Sequence, residues 1–203
     1  MDTVLENDTV KGLLIFSCDA NGFTPKSING KLAEISVPFL GGIFPEIIAG
    51  KEKLEKGTVV AGFSLEPNVQ IIPDLSDTSV DYDEVLDEKI PEIDNIKTMF
   101  VLVDGFSKRI STLVDSLFNI FGLEFNYIGG GTGSLSMEQK PCLFTSEGFI
   151  QDSAVLATLD IESSVAVTHG WERIAGPFKV TESDRNVLKP LIGNLLFSCI
   201  GTL

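Results

Sequence analysis

Apolar residues in this chain fall into short runs separated by polar, glycine and proline positions. GLLIFSC (12–18) is continuously apolar, too short for a helix and bounded by polar residues, so it reads as a buried strand. Ile28, Leu32 and Ile35 then share one side of a short helix between Lys26 and Ile35. Pro25 suits its first turn and Gly30 weakens its middle. VPFLGGIF is the next strand, and GTVVAGFSL and NVQIIPDL read as two antiparallel strands with a turn at EPN. TMFVLVDG is a further buried strand. The strongest helical signal follows it: Ile110, Leu113, Val114, Leu117, Phe118 and Phe121 recur at helical spacing, with Ser107 placed to cap the start and Gly122 to end it. EFNYIGG, the hairpin-like CLFTSEGFI with its Glu147-Gly148 turn, SAVLATLDI and SVAVTHGW complete the pattern.

The pattern repeats. LLIFS (13–17) echoes MFVLV (99–103), FLGG (39–42) echoes YIGG (127–130), GTVVAGF (57–63) echoes SAVLATL (153–159), and VQIIPDL (69–75) echoes VAVTHGW (165–171), always in the same order. The expected fold is therefore α+β, or mixed α/β: two βαβ-β-β pseudo-repeats whose largely antiparallel sheets are covered by helices, an arrangement compatible with a layered sandwich. We expect one domain over 1–203 with two lobes, 12–75 and 98–190, joined by a connector at 76–97. Residues 191–203 read as the start or remnant of a further unit, because LLFSC echoes LIFSC. A cleft between such lobes is a common place for a ligand.

Composition narrows the partners. The 203 residues carry a net charge of −14, which disfavours nucleic acid and anionic membrane surfaces. Residues 74–94 hold nine acids against Lys89 alone and read as a solvated connector with a short helix at DEVLDEKI; their spacing lacks the central glycine of a calcium loop. The start MDTVLENDTVKG has no signal-peptide pattern, and no apolar run approaches the roughly 20 residues of a membrane span. Cys18, Cys142 and Cys199 form neither a disulfide framework nor a zinc pattern, so the expectation is a reduced, cytoplasmic protein without metal or cofactor.

Chemistry concentrates in YIGGGTGSLSMEQKPC (127–142). The dinucleotide fingerprint fails at Ser136, the P-loop lysine is missing, and Pro141 limits any following helix. What stays open is a turn with no ligand, or a carboxylate or small polar ligand held by loop amides at Gly130, Gly131 and Gly133, with Thr132 and Ser134 hydroxyls assisting. His169 is the only histidine; it is either a packed residue or a ligand contact with Trp171 as an apolar wall. Asp104 closes a strand and either caps the next segment or, with Asp19, faces a cleft and binds an amino group. Pairing Cys142 or a serine with His169 would make a hydrolase or transferase, but no nucleophile-elbow pattern is present.

VPFLGGIF, FVLVDGF, YIGGGTGS and VAVTHGWERIAGPFKVTESDRNVLKPL, in this order, resemble the N-terminal part of the FIST sensory domain, of the F-box and intracellular signal transduction type. The matching steps are Thr168-His169-Gly170-Trp171, Gly176-Pro177, Val180-Thr181, Asn186-Val187 and the Gly129-Gly130 pair, and the likeness covers roughly 12 to 190. It departs after Asn186-Val187, where the family's Leu-Asp-Gly step is replaced by LKPLIG. The resemblance implies an intracellular, non-enzymatic sensory domain that binds a small ligand, with an amino acid suggested, and passes the signal to a protein partner. An interaction module with no small ligand is the remaining alternative.

Overall fold

In a computed structural model, residues 2–90, 96–168, 170, 172–174, 181–184 and 187–188 are described. The chain divides into two compact units, 1–165 and 166–203.

The first unit begins with a short helix α1 (Asp2–Leu5), then β1 (Gly12–Cys18), a 3-10 turn (Asp19–Asn21) and α2 (Pro25–Ala33). Thr24 and Ser27 form a reciprocal capping box at the start of α2, with Pro25 in its first turn. β2 (Phe39–Phe44), the hairpin β3 (Ile47–Ala49) and β4 (Glu52–Leu54), β5 (Thr58–Phe63), β6 (Asn68–Ile72) and α3 (Tyr82–Lys89) follow. Asp81 caps α3 with its side chain, as the acidic run allows. The rest is β7 (Thr98–Asp104), α4 (Ile110–Phe121), β8 (Asn126–Thr132), the hairpin β9 (Leu143–Thr145) and β10 (Gly148–Ile150), and β11 (Ala154–Leu159). Residues 160–165 carry no helix or strand. In the second unit β12 (Ser183–Asp184) pairs antiparallel with β13 (Val187–Leu188).

The fold is mixed α/β with mostly antiparallel pairing. One sheet runs β10-β9-β2-β1-β5 and the other β6-β11-β7-β8. In each, the first two strands of a pseudo-repeat are parallel neighbours joined by a helix, α2 or α4. Ile15 pairs with Gly41 and Val60, and Val101 pairs with Gly129 and Leu156, so the repeat holds residue by residue across these three strands; the fourth echo does not, since residues 164–168 of the expected SVAVTHGW strand carry no strand where VQIIPDL forms β6.

The halves also exchange strands. β6, from the first half, pairs with β11 of the second; β9, from the second, pairs with β2 of the first. β5 and β6 therefore lie in different sheets and do not form the hairpin expected at EPN. The reason is the face each strand must bury: β11 is buried along its whole length and needs a neighbour on both edges.

The two sheets pack face to face. Leu40 and Leu143 of one lie with Leu102, Val155 and Ala157 of the other in one buried cluster, and Phe63 lies 5.5 Å from Phe100, ring to ring. α2 covers the outer face of the first sheet, and α4 with α3 the outer face of the second, where Met99, Leu113, Leu117, Tyr82 and Leu86 are buried together. The helix expected from Ile110 onward is present and ends at Gly122. Its cap differs: Arg109 holds the N-cap position without a side-chain bond, and the Ser107 hydroxyl donates to Asp152 instead.

The Gly-Gly pairs are not turns. Gly41-Gly42 lies within β2 and Gly129-Gly130 within β8. A Cβ at Gly41 would collide with the Ile15 carbonyl oxygen, and one at Gly129 with that of Val101. The glycines let a parallel neighbour approach where a side chain has no room. Gly130 has nothing within 4 Å of its Cβ position. Urea unfolding should therefore separate two adjacent variants: Gly129→Ala should lose about 1–3 kcal/mol or more, and Gly130→Ala should stay within about 0.5 kcal/mol of the parent.

Candidate functional site

The glycine segment follows the free edge of the second sheet and then crosses to the first. Asp104 and Thr132 are register partners at the ends of β7 and β8. Beyond them the Gly133 amide donates to the Ile43 carbonyl at 2.8 Å, stitching the segment to β2. A Cβ at Gly42 would strike the Thr132 methyl, so glycine there lets the sheets close at this point.

The polar groups of the segment are engaged within the protein. Thr132, 2% exposed, donates to the Val103 carbonyl at 3.0 Å and sits 3.1 Å from the Cys142 sulfur. Ser134 donates to Asp19 Oδ2 and accepts from the Ser136 amide at 3.1 Å. The amide of Gly105 holds the Thr132 carbonyl at 2.9 Å. Gly130 and Gly131 are exposed.

Asp104 has no exposed surface, and its carboxylate is filled by three donors: the Phe106 amide at 3.0 Å, Gln139 Nε2 at 3.0 Å and the Asp152 amide at 2.7 Å. Asp152 in turn accepts from Ser76 at 2.6 Å and Ser107 at 2.9 Å. This is the geometry of a cap for the following segment, extended into a network, and it leaves no oxygen for a ligand's amino group. Its true counterpart by register is Cys18, which pairs with Phe44 as Asp104 pairs with Thr132; Asp19 stands one residue further on.

That extra step brings Asp19 out of the sheet. Its Oδ1 lies 2.8 Å from Lys140 Nζ, and its other oxygen takes the Ser134 hydroxyl. The side chains are 31% and 42% exposed for Asp19 and Lys140. Partial burial pushes the Asp19 carboxyl up, but the hydrogen bonds from Lys140 and Ser134 and the lysine charge outweigh it and hold it below its ordinary value. The segment between Ser134 and Lys140 also displays Leu135 and Met137, both largely exposed.

Asp19, Ser134 and Lys140 are thus brought together with the end of the glycine run. The sequence reading missed Lys140, Gln139 and Asp152. A lone lysine closing a glycine-rich segment in an acidic chain was a usable signal; nothing local marks Asp152. His169 and Trp171 lie outside the described residues. Three surface clefts, of about 840, 760 and 480 Å³, contain none of Gly130–Ser134 or Asp104 in their linings.

Cys142 is buried beside Thr132, and burial pushes its thiol up to about 12. Burial there works against the thiolate that a nucleophile needs. Among the described residues no group of His, Cys, Asp and Glu is placed to hold a metal ion, and no helix is long and apolar enough to cross a membrane.

A family model described as the FIST N domain matches residues 12–193. No curated protein matches the chain.

In a Cys199→Ser background, an aromatic disulfide reagent at about pH 8 should leave the native protein unlabelled for at least 100 times longer than the urea-unfolded chain, since Cys18 and Cys142 are both buried. Rapid native labelling would show an accessible thiol. The Asp19 ion pair gives a pH signature. Its folded-state pKa is lowered, so its contribution is fully present above the ordinary value of 3.8 and is lost as pH falls through the lower folded-state value. The stability difference between the parent and Asp19→Asn should accordingly shrink when urea titrations are carried from neutral pH to below 3.8.

Proposed function

Because the chain belongs to the FIST N domain family, a sensory and signal-transduction family that is not a known enzyme family, we propose that it is a cytoplasmic sensor of a small zwitterionic ligand, an amino acid, and that the ligand binds at Asp19 and Lys140. The observation that carries this reading is the half-exposed Asp19–Lys140 pair, held by Ser134 at the end of the glycine segment. A carboxylate and an ammonium side by side complement an α-amino acid: Lys140 takes its carboxylate and Asp19 its ammonium. Of the exposed glycines before this pair, Gly130 has nothing within 4 Å of its Cβ position and Gly131 faces the Gly105 backbone.

The signal follows from what the ligand displaces. The two sheets are locked by strand exchange, so the element free to respond is the segment 133–142, which is anchored to the first half through Gly133 and the Asp19 contacts. A ligand that takes over the Asp19 and Lys140 charges favours the conformers in which that segment has let go, and shifts the population toward them. Leu135 and Met137 travel with the segment and form the surface shown to a signalling protein.

Thermal denaturation against a panel of amino acids tests the reading. At a ligand concentration about 100 times Kd, binding adds about 2.7 kcal/mol and raises Tm with concentration. The rise should vanish in Asp19→Asn and in Lys140→Met, and for analogues that lack either the amino or the carboxylate group. A Tm unmoved by every compound would overturn ligand sensing in favour of an interaction module. A rise that survives both substitutions would overturn the site.

A further inference from the structure

β8 ends its sheet, and its outer edge carries no strand among the described residues. By register, Gly129 and Gly130 of β8 occupy the places of Gly41 and Gly42 in β2. In β2 the same outer edge is filled. β9 lies antiparallel to it, with Phe144 opposite Gly41 and Leu143 opposite Gly42, and the Ile43 amide donates to the Cys142 carbonyl at 2.8 Å. In β8, Gly129, Gly130 and Gly131 are exposed. The difference lies in the connections. β9 reaches β2 through residues 133–142, whereas only Pro45 and Glu46 separate β2 from its own hairpin β3–β4, which forms a sheet by itself.

The β8 edge also lacks the devices that keep strand edges apart: Asn126–Thr132 holds no charged residue and no proline. The helix above it is apolar on the same side. The Phe118 ring lies 5.0 Å from that of Tyr127, which places Phe118 on the β8 side of α4. Val114 stands one turn earlier on the same stripe, and Val114 and Phe118 are 36% and 43% exposed. The charge of α4 is on its other side, where Asp115 lines a cleft with Arg109, Asp81 and Asp83. A neutral strand edge and an apolar helix stripe thus lie side by side in a chain of net charge −14.

We propose that this surface pairs with a second copy of the chain, the two β8 strands lying antiparallel about a twofold axis at Gly129 and joining their sheets into one. In that register β8 is complementary to itself. Its larger side chains stand at one end and its glycines at the other, so the antiparallel copy sets Tyr127 against Gly131 and Ile128 against Gly130. Large residues then face glycines, as Phe144 and Leu143 face Gly41 and Gly42 in the first sheet. Gly131 stands where Ile43 does, so its amide donates to the Tyr127 carbonyl of the second copy. Val114 and Phe118 of the two α4 helices meet over the joined strands and lose their exposure. The pairing is independent of ligand binding at Asp19.

Sedimentation velocity of the whole chain tests this at about 0.15 M salt, where charges more than about 8 Å apart are screened. A monomer–dimer equilibrium with Kd of about 1–100 μM is expected. Gly130→Lys sets a lysine against Ile128 of the second copy, and Phe118→Lys removes the helix contact; each should raise Kd at least about tenfold. Both changes lower the net negative charge, so added repulsion between copies does not explain the loss. The Cβ position at Gly130 is open, so Gly130→Lys should keep the parental Tm at monomeric concentration. Ile48→Ser, on the separate hairpin β3–β4, should leave Kd unchanged. Hydrogen exchange at the Gly131 amide should slow at least about tenfold from monomeric to dimeric concentration. A chain monomeric up to about 1 mM, a dimer indifferent to Gly130→Lys and Phe118→Lys or equally weakened by Ile48→Ser, or a Gly131 amide that exchanges as fast in the dimer, would overturn the proposal.

Discussion

The Asp104 carboxylate is the point on which the first unit turns. A charge with no exposed surface persists only where donors replace its water, and here three do so from three separate segments: the turn after β7, the segment after β8 and the turn before β11. Asp152 relays the bond to Ser107 ahead of α4 and to Ser76 after β6. The ends of both parallel strands of the second half, the start of its helix and the exit of the exchanged strand are therefore held by one network. The glycine segment is shaped at one end by that network, and at the other by Gly133 on β2 and Ser134 on Asp19.

The apolar core gives the same frame its rigidity. Two sheets meet through Leu40, Leu143, Leu102 and Val155, and each gains a strand or hairpin from the opposite half. A hinge between sequence halves would break buried ladders, so sensing by lobe closure does not fit this architecture. In the proposed function the response therefore falls to the segment 133–142, which lies outside the ladders.

Much of this was legible from the chain. Ile110 through Phe121 declared their helix by spacing, and the echo of LLIFS in MFVLV and of FLGG in YIGG located the repeat that the register confirms. A turn was one reading left open for the glycine run, because a Gly-Gly step between apolar residues looks the same whether the chain turns or a neighbouring carbonyl comes close. The EPN turn was misjudged for a related reason: adjacency in sequence favours hairpins, and only the burial demand of β11 sends β6 elsewhere. Asp104 was visible as a cap, but its network was not, since Gln139 and Asp152 reach it through topology alone. The Asp19–Lys140 contact likewise joins opposite ends of the unit, and no local pattern announces it.

The strand exchange also sets how the unit must be made. Neither sheet can be completed from one half, because β6 waits for β11 and β2 waits for β9. A ribosome releasing the first half delivers a five-stranded sheet short of two strands, with the apolar inner face of β1 and β2 still uncovered. Closure comes only after β11 has emerged, so the pairings that matter most span long stretches of chain and carry the loop-closure entropy that slows folding. The duplicated sequence thus ties its two halves into one unit, and during synthesis the first half keeps an apolar face uncovered until the second arrives.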